Sequence, residues 1–154
     1  MTRDRIDEID RKILKILQSD GRASMKDIAD KIGKLSKVAV SYRVKRLRKT
    51  GVIQGFHAKI DPDSLGQEFL FISRLSIAAK AVRERTIAKK IAALDGVQSV
   101  FETFGDYDIL VIGRARDAVR GRDIIARMLG MKGVDDSTTI VAHTVAKESL
   151  DVAL

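Results

Sequence analysis

Residues 36–53, "SKVAVSYRVKRLRKTGVI", constrain the fold more than any other stretch. They include six Lys and Arg (Lys37, Arg43, Lys45, Arg46, Arg48 and Lys49) and no Asp or Glu. With about 100° of turn per residue, Val40, Val44 and Leu47 share one helical face, which must look into a core. The opposite face carries Val38, Tyr42, Lys45 and Lys49, flanked by Ser41 and Arg46. Such a helix is anchored on its apolar side and presents cations on the other. Arg43 falls nearer the core side, where a structural ion pair and a contact to a polyanion both stay open.

The charge balance places this helix in context. The 154 residues have a net charge of +8. Residues 1–66 hold 16 Lys/Arg against 9 Asp/Glu, whereas residues 67–154 hold 13 against 12. The basic excess belongs to the N-terminal part, which is therefore expected to meet a polyanion while the remainder does something else. A basic run is otherwise a solvated face, but here it coincides with the outer side of the third helix in a three-helix set. There is no cysteine, so disulfides, thiolate metal sites and a cysteine nucleophile are excluded. No run approaches the roughly 18–20 apolar residues of a membrane span, and the charged start is unlike a secretory signal. A soluble, cytoplasmic protein with no membrane partner is expected.

Ile6, Ile9, Ile13, Ile16 and Leu17 recur at helical spacing and predict a first helix over about residues 4–18. "SDGR" (19–22) stops it. A second helix starts at Ser24, where Ser24 and Asp27 have capping-box spacing, and Met25, Ile28, Ala29 and Ile32 form its buried stripe. Gly33 ends it, and Ser36 caps the third helix. Two helices joined by a short Gly-containing turn, the second cationic on its outer face, form a helix-turn-helix. In that arrangement Lys37, Val38, Ser41 and Tyr42 are the candidates for base edges in the major groove of double-stranded DNA. Lys45, Arg46 and Lys49 lie further along and are candidates for phosphates. "VIQGFHAKI" (52–60) alternates around Gly55 and predicts a small β-ribbon, a wing. "DPDSLG" (61–66) holds the only proline and marks a boundary. The expected organisation is a winged helix-turn-helix domain over residues 1–60, a linker over 61–68 and a second domain over 69–154.

In that second domain "FLFISRLSI" (69–77) predicts a strand and "KAVRERTIAKKIAAL" (80–94) a helix with Ile87, Ile91 and Leu94 inward. "GVQSVFETF" (96–104) and "ILVIGRA" (109–115) predict a hairpin around "GDYD" (105–108). A helix over about residues 117–129 follows, with Val119, Ile125, Met128 and Leu129 as its apolar face. "GVDDSTTIVAHTVAK" (133–147) closes the sheet. The order β-α-β-β-α-β is that of a ferredoxin-like fold, so the class is α+β. Its uncovered sheet face is expected to expose Phe69, Phe71, Leu75 and parts of 97–104 and 138–145. A patch of that kind predicts a homodimer in which two sheets face each other.

"DEIDRKILKILQSDGR", "YRVKRLRKTGVIQG" and "GDYD", spread over nearly the whole chain, resemble the Lrp/AsnC family of feast/famine transcription regulators. The resemblance implies a winged helix-turn-helix dimer that often assembles to an octamer. It also implies an effector-binding RAM domain that takes a small molecule, usually an amino acid. Carried onto this chain, the candidate effector site is the loop Gly105, Asp106, Tyr107, Asp108 with the facing strand residues Thr138, Thr139, Ile140 and Val141. Backbone N–H groups of the Gly-containing turn would hold an α-carboxylate, and Asp106 or Asp108 would accept from an α-ammonium. Thr103 and Arg122 are added at the rim. One departure is the turn "KIGKLS" (31–36), one residue longer than the commoner "VGLS", which bears on the angle of the third helix. An enzyme is not expected: there is no cysteine, the two histidines are far apart, and no phosphate loop or metal spacing is present, so no cofactor is implied. The rival reading is an architectural protein that coats DNA without regard to sequence.

Overall fold

The computed structural model describes residues 6–33, 35–78 and 86–154. It divides the chain into two compact units, Met1–Lys59 with Ser149–Leu154, and Ile60–Glu148.

The first unit is a three-helix set: α1 (Glu8–Ser19), α2 (Met25–Ile32) and α3 (Lys37–Lys49). Each starts at a side-chain cap, because the first N–H groups of a helix have no internal partner. Asp7 and Asp10 form a reciprocal capping box on α1, as Ser24 and Asp27 do on α2. Ser36 accepts from the Ala39 N–H at 3.1 Å. The core gathers Ile13, Leu17, Ile28, Ala29, Val40 and Val44, and Leu47 is buried as well. The inward stripe of the basic segment therefore lies as its spacing requires. At about 1.5–3 kcal/mol for each fully buried aliphatic side chain, this stripe is what fixes α3 in place. On the α1 side, the Gln18 side-chain amide exchanges two hydrogen bonds with the backbone of Val152, at 3.0 and 2.9 Å.

The ribbon expected over residues 52–60 is absent. Residues 54–60 form no strand; the Ile53 N–H returns to the Leu47 carbonyl at 3.1 Å, and the segment then runs on without a ladder. Its alternating apolar residues have no buried face to fill, since Val52, Phe56 and Ile60 are all exposed.

The second unit follows the expected order, with β1 (Phe69–Ile77), α4 (Ile87–Ala92), β2 (Val97–Glu102), β3 (Ile109–Ala115), α5 (Ala118–Leu129) and β4 (Val134–Val141). Residues 79–85, the first part of the helix expected over 80–94, lie outside the described residues. The sheet order is β2-β3-β1-β4 with antiparallel pairs throughout, the ferredoxin-like arrangement. The last strand stops at Val141 and does not continue to 147.

The parity of the sheet differs from expectation. Phe71 and Leu75 are fully buried with Ile109, Val111, Ile87, Ile91, Ile124 and Met128, and Phe69 packs on the same cluster. These residues face the helices. The uncovered face is built from the alternate positions, Ile72, Arg74, Leu110, Ile112, Phe101 and Ile140, following the register Ile72↔Ile112, Ile72↔Ile140, Arg74↔Leu110 and Phe101↔Leu110. A shift of one residue exchanges the faces, and a strand apolar on both sides does not reveal which parity holds. On α5 the inward residues are Gly121, Ile124 and Met128, whereas Val119 and Leu129 are exposed. The Phe69 ring occupies the space beside Gly121 where a side chain would otherwise be, and Ile125 packs on the core from the edge of this face.

Candidate nucleic-acid interface and effector pocket

The outer face of α3 follows from its anchored inner stripe. Val38 and Tyr42 are 76% and 69% exposed. Lys37, Lys45 and Lys49 are exposed beside them, and Ser41 is half-buried. These six residues lie together on the first unit's surface.

Arg46 does not join them. Its Nη2 pairs with Asp10 Oδ2, while Arg43 Nη1 reaches Asp10 Oδ1 at 2.9 Å and Asp7 Oδ2 at 2.6 Å. Asp10 is fully buried, yet it sits on the stripe of Ile13, Leu14 and Leu17. A lone carboxylate in such a position is costly, so two guanidiniums from α3 must neutralise it. The guanidinium of Arg43, and then the Asp10 N–H, hold the Asp7 carboxyl below its ordinary 3.8. Those two carboxylates in turn raise Arg43. The question left open for Arg43 is thus settled as an ion pair, and Arg46, expected at phosphates, gives one guanidinium nitrogen to Asp10 while its side chain stays 30% exposed.

In the second unit the "GDYD" loop joins β2 to β3 and is held at both ends. The Thr103 N–H donates to the Asp108 carbonyl at 2.9 Å, and the Asp108 N–H donates to the Leu75 carbonyl at 3.0 Å. The Asp108 carboxylate accepts from the Ile77 N–H at 2.7 Å, and the Thr103 hydroxyl donates to the Tyr107 carbonyl. Gly105, at φ 138°, makes the bend in a region that disfavours any other residue. The loop borders an open cavity of about 260 Å³, into which Thr103, Asp106 and Tyr107 look together with Arg74, Phe104 and Leu110. The Arg74 guanidinium lies 4.5 Å from the centroid of the Tyr107 ring.

The remaining expected effector residues separate. Thr138 is the cross-strand neighbour of Arg74, and Ile140 follows it on the uncovered face. Thr139 and Val141 point to the other side, where the Thr139 and Ser73 hydroxyls lie 2.7 Å apart. Arg122 is exposed on α5 and does not border the cavity. Sequence reasoning passed over Arg74, although it is the one charge within "FLFISRLSI". Among the described residues no group of His, Cys, Asp and Glu could hold a metal ion, and no helix is long and apolar enough to cross a membrane.

Comparison with known proteins agrees with both halves of this description. Residues 6–48 match the model of the AsnC-type helix-turn-helix domain, and residues 74–152 that of the Lrp/AsnC ligand binding domain. The chain belongs to the Lrp/AsnC family. It is 33% identical over 149 residues to HTH-type transcriptional regulator FL11 of Pyrococcus horikoshii, covering 97% of each chain. Among solved structures, a transcriptional regulator of Neisseria meningitidis in complex with L-methionine has a TM-score of 0.86 at 25% identity over 97% of each chain. A feast or famine regulatory protein of Mycobacterium tuberculosis, complexed with L-methionine, shares the fold, with a TM-score of 0.87 at 24% identity over 96% of this chain and 99% of that one. As an Lrp/AsnC member the chain is a DNA-binding transcription regulator with a ligand-binding domain, and not an enzyme. The helix-turn-helix match ends at Arg48, within α3.

Proposed function

We propose that this regulator binds particular DNA sites through the outer face of α3 and that an amino acid, held at the "GDYD" loop, alters its assembly or its grip on DNA. Lys37, Val38, Ser41 and Tyr42 face base edges, and Lys45 and Lys49 face phosphates. The observation that carries this reading is the exposure of Val38 and Tyr42 in the midst of lysines that have no carboxylate partner among the described residues. A helix that only coated the phosphate backbone would have no use for a large apolar side chain and a phenol at that place. On the effector side, the reading is supported by the mixed charged and apolar lining of the loop cavity and by the methionine bound in the Neisseria neighbour. The apolar residues of the uncovered sheet face support a homodimer built on that face; further assembly to an octamer rests on the family resemblance alone.

The test is selection of binding sites from a random duplex pool, first with the intact chain and then with Tyr42→Ala/Lys45→Ala. A shared sequence should emerge with the former and vanish with the latter, while circular dichroism stays unchanged. Affinity that ignores sequence in both would favour the architectural alternative and refute this one.

A further inference from the structure

Arg114 is a buried charge that neither the DNA-binding face nor the effector loop uses. It stands on β3 between Gly113 and Ala115, whose positions face the helices, so its side chain starts from the other face of the sheet. Arg74 on that same face is exposed, whereas the Arg114 side chain is only 7% exposed. A guanidinium so placed needs partners. Nη2 donates to Glu148 Oε2 at 2.8 Å and Nη1 to the Gln67 carbonyl at 3.3 Å, while Nε is buried with no acceptor among the described residues. The Asp61 carboxyl, held below its ordinary 3.8 first by the Ser64 hydroxyl and N–H, also feels the Arg114 charge. These partners share a place in the chain. Asp61 and Gln67 belong to the linker, and Glu148 is the last residue of the second unit before the chain returns to the first at Ser149.

We propose that Arg114 is a positioning residue that clamps both connections between the two units, holding or releasing the linker and Glu148 together, and so sets how freely the DNA-binding unit moves. The coupling comes from the shape of the guanidinium. Its N–H donors form one rigid plane, so Nη1 and Nη2 are not redirected separately. Without the Glu148 carboxylate the cation keeps one neutral carbonyl, too little for a buried charge; it turns toward water and leaves Gln67 as well. A buried ion pair gives little net stability compared with apolar side chains of like volume, and what this one gives is direction. Glu148 is 50% exposed, so water reaches the pair from that side and the clamp can open. The inference uses the DNA-binding character of the first unit and is independent of where an effector sits.

Hydrogen exchange of the full chain, read by mass spectrometry, tests the clamp in wild type, Glu148→Gln and Arg114→Lys. The reporters are the Leu65, Gly66 and Gln67 amides, which donate to the carbonyls of Pro62 and Asp63 in the linker. In Glu148→Gln they should exchange about 10-fold faster, although Glu148 bonds to none of them, while the amides of α5 stay as protected as before. Lysine keeps the charge but not the fork, so Arg114→Lys should loosen the same amides. Motion of the first unit is read from spin-label distances between Lys26→Cys and Arg127→Cys, both exposed positions in a chain that has no cysteine, with labelled chain diluted into unlabelled. The distance distribution should broaden in Glu148→Gln. Linker exchange unchanged in Glu148→Gln would overturn the clamp, whether or not Arg114→Lys folds. A folded Arg114→Lys that exchanges like wild type would overturn the fork argument. Faster linker exchange with an unbroadened distribution would overturn control of the DNA-binding unit, and faster exchange in α5 too would reduce the pair to a support of the fold and overturn the proposal.

Discussion

Replacing Asp10 by Ala tests how the third helix is held, and its cost can be worked out from the contacts. Asp10 is buried without remainder, whereas the guanidiniums of Arg43 and Arg46 are 22% and 30% exposed. Removing one member of a buried pair costs about 3–5 kcal/mol when the survivor stays buried and unpaired. Here both survivors can turn toward water, which reduces the cost, but α1 also loses the carboxylate that accepts from the Asp7 N–H. A loss of about 3 kcal/mol results, or roughly 12–24 °C in the melting of a unit this small. Urea unfolding of the full chain, followed by far-UV circular dichroism, measures it. Arg43→Met or Arg46→Met alone leaves Asp10 one partner and should cost about 1–2 kcal/mol. Together they strand the carboxylate in the core, at about 3–5 kcal/mol. If Asp10→Ala changes stability by less than about 0.5 kcal/mol, the ordinary range for surface positions, the ion cluster does not hold the helix.

Three further outcomes follow from the same geometry. Because the folded protein lowers the Asp7 carboxyl below 3.8, this group's stabilisation is complete above that pH and is lost as pH falls through the lowered value; Asp7→Asn should flatten stability against pH below about pH 4, and an unchanged acid limb would contradict the pairing with Arg43. A Cβ added at Gly113 would lie 2.3 Å from the Phe71 ring and 2.8 Å from the Gly96 carbonyl oxygen, so Gly113→Ala should cost about 1–3 kcal/mol, and Phe71→Leu in the same chain should restore part of it, both read by thermal melting. Asp106→Ala should abolish the effect of amino acid on DNA affinity in a gel-shift titration while leaving affinity without effector as it was; a normal response would remove the loop from the effector site.

The parts of the fold legible in the sequence were those where one pattern had one meaning. Val40, Val44 and Leu47 could only face inward, and the runs 69–77 and 109–115 could only be strands, with bounds that match the structure residue for residue. Parity within those strands was not legible. β1 has Phe69, Phe71 and Leu75 on one side and Leu70 and Ile72 on the other, so both faces read as apolar, and only Gly113 opposite Phe71 marks the crowded side. The segment 52–60 alternates as a ribbon would, but alternation without a partner strand makes no ladder. Two site residues carried a signal that passed unread. Asp10 is a charge on an apolar stripe, which requires a counter-charge from elsewhere and so predicts that α3 gives up cations. Arg74 is a charge within an apolar strand, which predicts a use for it on the open face.

The most direct test of the outer face of α3 is the salt dependence of DNA affinity, measured on a selected site with Lys45→Ala, Lys49→Ala and Arg46→Ala. Each phosphate contact contributes about 0.9 to the slope of log K against log salt. Lys45→Ala and Lys49→Ala should each lower the slope by about that amount, and Arg46→Ala, whose charge is committed to Asp10, should leave it as in the intact chain. Slopes unmoved by either lysine, or lowered by Arg46 alone, would contradict the account.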